Sequence, residues 1–263
     1  AILMVSFDHL IMFFVGLEIL SVAMYVLTGS DKRNLRSNEA ALKYFLMGSF
    51  ATGILLFGIT LVYGATRSFY LANIAVAIAN TPPESTPVFL SIGVLLILVG
   101  FLFKISAAPF HFWTPDVYEG APTIFTMFMS TVVKAASFAA LYQLLSGPFG
   151  TMYGTWVYPI YYISMLTLLV GNITAVYQQS AKRMLAYSSI SHAGYMLLTV
   201  SANQASTPST ILYYSLSYTL ATIVAFGVVM LVAEYQTGRT EKPENFSSFE
   251  GLAKQNPGLA FCF

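Results

Sequence analysis

The sequence predicts an all-α polytopic membrane protein, a chain whose helices cross a lipid bilayer several times. Hydrophobic residues make up 57% of its 263 residues, and charged residues make up only 9%. Several apolar runs are longer than the roughly 18 residues that indicate a bilayer crossing. Because a soluble domain of this length could not hydrate so much apolar surface, the composition excludes an ordinary globular protein.

The few cysteines and histidines argue against several kinds of cofactor site. One cysteine, Cys262, and three scattered histidines, His9, His111 and His192, cannot build an iron–sulfur cluster, a structural zinc site or a c-type haem by themselves. The sequence also has no glycine-rich phosphate loop after a strand pattern and no basic tract for nucleic acid. We therefore expect this chain to bind no cofactor and no metal.

The first complete span is predicted over residues 9–28. Glu18 lies about 14 Å along this helix, close to the midplane of a hydrocarbon core about 30 Å thick. A loop with three basic residues, 31–39, follows, and a second span is predicted over residues 40–64. Lys43 is one turn into that helix, so its side chain can extend back to the membrane surface.

The next stretch combines a short apolar segment with a span that contains a proline. Residues 71–79 are too few to cross a bilayer, and a proline pair at 82–83 ends them, so we expect an interfacial or re-entrant segment. The third span begins at Val88, and Pro109 predicts that its helix kinks or unwinds just after Lys104. Broken helices at membrane depth are tolerated where they face protein or water.

Four further spans complete a prediction of seven. They cover residues 121–145, 157–177, 184–200 and 210–233, and a turn rich in glycine at 146–154 separates the first two. Residues 1–5 are apolar without a signal-peptide pattern, and residues 256–263 are typical of the start of another helix. We therefore expect the chain to be the middle of a longer protein.

The basic residues of the loops predict the orientation of the bundle. With seven spans, the loops at 29–39, 113–120, 178–183 and 236–256 lie on one face, here called the positive face. These loops hold Lys32, Arg33, Arg36, Lys182, Arg183, Arg239, Lys242 and Lys254. The loops of the opposite face hold Arg67 alone. By the positive-inside rule, the positive face is cytoplasmic.

Three ionisable residues lie deep within the predicted spans. Glu18, Lys104 and Lys134 occupy positions where a charge costs about 2.5–3.5 kcal/mol on insertion scales. Burial favours the neutral form of a lysine, whereas a nearby carboxylate favours the charged form. A proton relay accounts for all three, with Glu18 making Lys104 hold or release a proton and Lys134 as the next carrier. The alternative is a set of structural pairs or of side chains that extend to the interface.

Other polar residues have two explanations each. His192 is either a proton carrier or a histidine that is satisfied within the core. Lys182 and Arg183 begin a helix on the positive face, where a basic residue also serves to set the topology. Small hydroxyl residues of the fourth span are typical of helix packing, and they are Thr126, Ser130, Thr131 and Ser137. His111 and Trp113 are predicted at the membrane interface.

Several segments together resemble the antiporter-like membrane subunits of respiratory complex I. They are LEILS around Glu18, FKISAAPFHFWTPDVYEGAPT at 103–123 with a second lysine at Lys134, and AKRMLAYSSISHAGYML at 181–197. Within these subunits, the PFHFWTPDVYEGAP segment is most similar to the subunit N family of bacterial NADH:quinone oxidoreductase. The resemblance extends over nearly the whole chain.

The resemblance implies a bundle of two inverted five-helix repeats, each with a broken helix. Residues 1–145 would then be the first repeat without its beginning, and residues 146–263 the start of the second. The family's coupling pair of a glutamate and a lysine matches Glu18 and Lys104, and its central lysine matches Lys134. Lys182 matches a lysine before the LAYSS motif that joins the hydrophilic axis. A further lysine, in the second broken helix, is expected beyond Phe263.

The resemblance also implies a proton-translocating subunit in the bacterial inner membrane, driven by redox chemistry in other complex I subunits. NADH, FMN, iron–sulfur clusters and quinone would bind to those partners, and this chain would contact lipid and carry protons. The predicted site comprises Glu18, Lys104, Lys134, Lys182 and His192, with Pro109 at the helix break. The alternatives are a subunit of a stand-alone cation/proton antiporter, a subunit of a related membrane-bound hydrogenase, and a structural scaffold.

Overall fold

The computed structural model describes residues 1–82, 87–236 and 244–262, which form a bundle of helices. The helices are α1 (Ile2–Val5), α2 (Leu10–Thr28), α3 (Leu35–Thr66), α4 (Leu71–Ala79), α5 (Val88–Lys104), α6 (Trp113–Gly120), α7 (Thr123–Phe128), α8 (Lys134–Ser146), α9 (Tyr153–Val176), α10 (Ala181–Ala202), α11 (Thr207–Gln236), α12 (Leu252–Gln255) and α13 (Pro257–Cys262). A π-helical segment, Met129–Val133, joins α7 to α8. The predicted all-α fold is confirmed.

Within the described residues, five helices are long and apolar enough to cross a membrane. They are Leu10–Thr28, Leu35–Thr66, Thr123–Ser146, Gly150–Val176 and Thr207–Tyr235. The other two predicted spans correspond to α5, an apolar helix of 17 residues, and α10, whose sequence includes Lys182, Arg183 and several serines. Because α10 packs against α6, α9 and α11, its polar side chains face protein.

Two segments that were predicted as loops are helical. α3 begins at Leu35 instead of residue 40, because the Asn34 side chain accepts a hydrogen bond from Arg36 N at 3.0 Å and caps the helix. The predicted loop at 113–120 is α6. Its proline, Pro115, lies in the first helical turn, where a missing backbone N–H removes no helical hydrogen bond.

The helix of the third predicted span breaks at the predicted position. α5 ends at Lys104, and residues 105–112, which include Pro109, form turns before α6 begins. Ala108 N in these turns donates a hydrogen bond to Thr167 Oγ1 in the interior of α9, at 3.0 Å. The unwound backbone therefore faces protein at this point, as irregular structure within a membrane requires.

Two glycines allow α3 and α5 to approach each other closely. A β-carbon added to Gly58 would lie 2.7 Å from the carbonyl oxygen of Gly93, and one added to Gly93 would lie 3.0 Å from the carbonyl oxygen of Gly58. Close contact between small residues stabilises helix pairs in membranes, where helix association depends on van der Waals packing. This crossing fixes the position of α5, and therefore of Lys104, relative to α3.

The two ends of the bundle agree with the predicted sidedness of the loops. On the positive face, Asp116 of α6 forms ion pairs with Lys43 of α3 and Arg183 of α10, at 2.9 and 2.8 Å. At the opposite end, Leu10 N donates to Phe69 O at 2.9 Å. Two basic residues that were predicted on the positive face, Arg239 and Lys242, lie outside the described residues.

The short apolar segment predicted at 71–79 forms α4, a helix of nine residues. Leu71 N donates to Asp8 O at 2.9 Å, which places the start of α4 at the end of the bundle opposite the positive face. The segment therefore does not cross the bundle. Pro83 of the predicted proline pair lies outside the described residues.

Candidate functional site

Lys104 is the last residue of α5 and is only 6% exposed. Its Nζ donates a hydrogen bond to Ser21 Oγ of α2 at 2.8 Å and lies 3.4 Å from the hydroxyl of Tyr44 in α3. The amine also lies 5.6 Å from the centre of the Tyr44 ring, within the range of a cation–π contact. The break in the helix thus leaves Lys104 between α2 and α3, with neutral hydroxyl groups as its partners.

Glu18 lies near Lys104 but is not its direct partner. Glu18 Oε1 accepts a hydrogen bond from Thr52 Oγ1 at 2.9 Å, and the two side chains are partly buried. No Glu18–Lys104 ion pair occurs within 4.0 Å. Ser21, Thr52 and Lys104 line a cavity of about 10 Å³, which is roughly the size that one water molecule requires. Glu18 is therefore connected to the cavity of Lys104 through Thr52, and the predicted pair has no direct contact.

Lys134 is the first residue after the π-helical segment and is 2% exposed. Its Nζ donates hydrogen bonds to both oxygens of Ser189 in α10, at 2.6 Å to the backbone carbonyl and also to the side-chain hydroxyl. A π-helical turn within an α-helix is frequent at functional sites. The sequence analysis identified Lys134 but missed Ser189 and the π-helical segment, because both depend on how the helices pack.

α6 lies between the surroundings of the two lysines. Trp113, at the start of α6, stacks on Tyr44 with ring centroids 4.6 Å apart. Tyr118, near the end of α6, is 1% exposed, and its ring centroid lies 6.4 Å from that of Trp113. Trp113 is 2% exposed, so its ring packs inside the bundle, and its depth at the membrane interface stays a prediction. The PFHFWTPDVYEGAP segment therefore contributes an aromatic contact to Tyr44, which is a partner of Lys104.

His192 lies on α10, close to Lys134. Its Nδ1 is 2.7 Å from the hydroxyl of Tyr214 in α11, and its ring centroid is 4.8 Å from that of Tyr218. The three side chains line a groove of about 320 Å³ between α10 and α11, with Thr222 at its polar wall.

Lys182 and Arg183 lie at the start of α10 on the positive face and have charged partners. Lys182 is 2% exposed, and its Nζ contacts Glu244 Oε1 at 2.9 Å and donates to Ala121 O at 2.8 Å. Arg183 Nη1 donates to Asp116 Oδ1 at 2.8 Å and to Glu119 Oε2 at 3.0 Å. These contacts join α10 to α6 and to the segment at 244–246, and they favour a structural role.

The small hydroxyl residues of the fourth span bind backbone carbonyls, as expected of residues that stabilise packing. Thr126, Ser130, Thr131 and Ser137 donate to the carbonyls of Tyr118, Met127, Met127 and Val133. His111 is partly buried, and its Nδ1 is buried without a hydrogen-bond partner. Among the described residues, no group of three or more His, Cys, Asp or Glu side chains could hold a metal ion.

The sequence is similar to known proteins over nearly its whole length. Residues 8–263 match the family described as NADH:quinone oxidoreductase/Mrp antiporter, TM. The NADH-quinone oxidoreductase subunit N of Flavobacterium johnsoniae is 46% identical over 267 residues, which include 99% of this chain and 56% of that protein. The subunit N of Trichlorobacter lovleyi is 46% identical over 260 residues, with 99% of this chain and 52% of that protein covered. The chain thus spans about half the length of these curated relatives.

Solved structures have the same fold. A chain of respiratory complex I from Thermus thermophilus aligns with a TM-score of 0.80 and 38% identity, over 98% of this chain and 53% of that chain. A chain of the archaeal membrane-bound sulfane sulfur reductase aligns with a TM-score of 0.84 and 27% identity, over 97% of this chain and 50% of that chain. A chain of the Mrp complex from Dietzia sp., at 21% identity, shares the fold with a TM-score of 0.77. The chain is a membrane protein and belongs to the NADH:quinone oxidoreductase/Mrp antiporter family.

Proposed function

We propose that this chain is part of a proton-translocating membrane subunit of NADH:quinone oxidoreductase. The observation that carries the proposal is the burial of Lys104 and Lys134 beside hydroxyl and carbonyl groups, with no carboxylate of the described residues within 4.0 Å of either amine. A lysine with neutral partners can lose its proton without leaving an unpaired carboxylate in a medium of low dielectric constant. Such a group is suited to carry a proton in one state and to be neutral in the next.

Glu18 would set the charge of Lys104. Its carboxylate binds Thr52, which lines the same small cavity as Lys104. Movement of the carboxylate toward the amine favours the charged lysine, and movement away favours the neutral one. In this scheme Lys134 receives the proton that Lys104 releases. His192 extends the path into the groove between α10 and α11, and Lys182 holds the structure of the positive face instead of carrying protons.

The rest of the enzyme would supply the driving force. The names of the relatives, which are subunits N of NADH-quinone oxidoreductases from bacteria, support partner subunits that act on NADH and quinone. In the proposal, FMN and iron–sulfur clusters also bind to those partners. They also support a position in the bacterial inner membrane with the positive face toward the cytoplasm. Residues 1–145 and 146–263 would belong to two inverted repeats, with Pro109 at the broken helix of the first.

Lys134→Ala in the complete enzyme tests the relay. We expect the purified complex, in sealed vesicles, to assemble normally and to lose most of the proton transport that depends on this subunit, because the central carrier is missing. The number of protons moved per electron is the measurement. Lys32→Ala is the control, since it removes an exposed lysine of the loop before α3. A Lys134→Ala complex that assembles and pumps at the wild-type ratio contradicts the proposal.

Co-purification tests the alternative of a cation/proton antiporter subunit. The identity to the subunits N is 46%, compared with 27% to the sulfane sulfur reductase chain, and this difference favours NADH:quinone oxidoreductase. We expect the tagged protein to purify with quinone-reducing subunits and to show no cation-dependent antiport by itself. Antiport without redox partners would favour the alternative.

A further inference from the structure

We propose that the cavity beside Lys104 binds one water molecule, and that this water and the hydroxyl group of Thr52 pass a proton from Glu18 to Lys104. This route rests on the proposed function, in which Glu18 acts on Lys104 through the position of its charge. It adds a way for Lys104 to regain a proton after it has given one to Lys134.

Three helices form the walls of the cavity. α2 contributes Ser21 and Tyr25, which are four residues apart and therefore lie on one face of the helix. α3 contributes Gly48 and Thr52 with the same spacing, and α5 contributes Lys104 at its end. The volume of about 10 Å³ is roughly what one water molecule requires, and a buried water needs two to four polar partners. Three hydroxyl groups and one amine in the lining can supply them.

Gly48 makes room for the polar wall of the cavity. A β-carbon at this position would overlap the hydroxyl oxygen of Tyr25. The Tyr25 side chain is 8% exposed, and its ring lies edge-on to that of Tyr44, with the centroids 4.7 Å apart. Packing therefore holds the Tyr25 hydroxyl against Gly48, and the wall is already formed in this structure.

Ser21 holds Lys104 but cannot pass a proton onward. Its hydroxyl accepts a hydrogen bond from Lys104 Nζ at 2.8 Å and donates its own proton to the backbone carbonyl of Leu17 at 2.7 Å. A hydroxyl group has one proton to donate, and a carbonyl oxygen only accepts. A route through Ser21 would therefore end at Leu17.

Thr52 connects the cavity to Glu18. Its Oγ1 donates to Glu18 Oε1 at 2.9 Å, so this oxygen can only accept a hydrogen bond from the cavity side. A charged Lys104 has three amine protons, and its contacts with Ser21 and Tyr44 use two of them. The third is available to a water in the cavity. Such a water accepts a hydrogen bond from Lys104 and donates one to Thr52.

The protons balance along this route. It begins with a protonated Glu18 and a neutral Lys104. The carboxyl group gives its proton to Thr52 Oγ1 as Thr52 releases its own proton to the water, and the water releases one proton to Lys104 Nζ. At the end, Glu18 is a carboxylate, Lys104 is charged, and Thr52 and the water have their original numbers of protons. The bond from Thr52 to Glu18 Oε1 has the direction expected of this end state.

Thr52→Val in the complete enzyme tests the route, because it replaces the hydroxyl group with a methyl group and leaves the charge of Glu18. We expect the number of protons moved per electron, measured in sealed vesicles, to fall at least as far as in Glu18→Gln. Thr52→Ser keeps the hydroxyl group and should pump at the wild-type ratio. The matched control is Thr60→Val, which removes an exposed hydroxyl of the same helix that donates to Leu56 O at 2.9 Å. The control should also pump normally.

The outcomes separate this route from the proposed function. Normal pumping by Lys134→Ala overturns the proposed function. A loss in Lys134→Ala and Glu18→Gln with normal pumping in Thr52→Val shows that Glu18 acts through its charge, and it overturns only the route through Thr52. An equal loss in Thr52→Val and Thr52→Ser assigns Thr52 a packing role and also overturns the route.

The water site can be tested without any variant, so the test does not depend on the assembly of Thr52→Val. An electron cryo-microscopy map of the complete wild-type enzyme, at a resolution that shows ordered water, should contain one water peak in the cavity. We expect this peak to lie within hydrogen-bond distance of both Lys104 Nζ and Thr52 Oγ1. A map that shows ordered water elsewhere in the bundle and none at this position overturns the proposal.

Discussion

Three lysines are buried to a similar degree but have different partners. Lys104 and Lys134 form the interior pair, and Lys182 lies on the positive face. Lys104, Lys134 and Lys182 are 6%, 2% and 2% exposed. Lys182 contacts the carboxylate of Glu244, whereas the other two contact hydroxyl and carbonyl oxygens. A carboxylate partner holds a buried lysine in its charged form, while neutral partners favour that form less strongly. We therefore expect the charge of the partner, and not burial alone, to distinguish a proton carrier from a structural lysine.

The surroundings of Lys104 and Lys134 also differ from each other. Lys104 ends a helix, and Glu18 is bound next to the same small cavity. Lys134 follows a π-helical segment within a helix and is held by one residue, Ser189. We infer that Lys104 is the lysine whose charge is adjusted and that Lys134 is the lysine that passes the proton on.

The largest expected effect comes from replacing the two fully buried lysines with methionine. Lys182→Met should lower the free energy of unfolding by about 3 kcal/mol, because it leaves the carboxylate of Glu244 without its cation. Lys134→Met should change that energy by less than about 1 kcal/mol, since an apolar side chain of similar size replaces a buried amine. Thermal and denaturant unfolding of the purified complex measure both values.

The same two variants should have the opposite order of effects on proton transport, with the larger loss in Lys134→Met. Lys182→Met complexes that assemble should pump at the wild-type ratio of protons to electrons, and Lys134→Met complexes should not. A stable Lys182→Met complex without proton transport would show that Lys182 belongs to the relay, as the sequence predicted.

A smaller effect on proton transport is expected for Glu18→Gln. This variant distinguishes the role of Lys104 from that of Lys134. The amide oxygen still accepts the hydrogen bond from Thr52, so the variant should fold normally, but the negative charge near Lys104 is lost. We expect the number of protons moved per electron to fall, but the loss should be several-fold smaller than the loss in Lys134→Ala. Glu39→Gln, which removes an exposed carboxylate from α3, is the control. Unchanged pumping in Glu18→Gln would make Glu18 a structural residue.

The smallest effect is expected at the ion pairs of the positive face. Burial by itself raises the pKa of Asp116, but hydrogen bonds from Lys43 and Arg183 outweigh this effect and hold the pKa below its ordinary value. A carboxyl group with a lowered pKa stabilises the folded protein above the pKa of the unfolded chain, about 3.9, and loses this contribution as the pH falls through the folded value. Because Asp116 is partly exposed, solvent screens these pairs.

Asp116→Asn should therefore lower stability at pH 7 by less than about 1 kcal/mol. The difference between the wild type and the variant should shrink as the pH falls below about 4 and disappear below the lowered pKa of the folded carboxyl group. Thermal midpoints measured from pH 7 to pH 3 test this prediction. A difference that is the same at pH 7 and pH 3 would assign the effect to packing instead of charge.

Much of the fold could be predicted because the relevant signals are local. The length of an apolar run predicts a span, and Pro109 predicts the end of α5 at Lys104, since a proline disrupts the helix to which it belongs. Capping by Asn34 and the first-turn position of Pro115 were also local signals, but the sequence analysis did not use them. As a result, the start of α3 and the helix α6 were missed.

By itself, the sequence determined the membrane class, the position of the helix break, the sidedness of the described loops and the identity of the buried charges. Only the tertiary structure decided their partners: Tyr44 lies 60 residues from Lys104, and Ser189 lies 55 residues from Lys134. It also placed Glu18 against Thr52, a residue that lines a cavity with Lys104, without a direct contact between Glu18 and Lys104. The physical reason is that hydropathy and proline act within one helix, whereas the partner of a buried side chain depends on how distant helices pack.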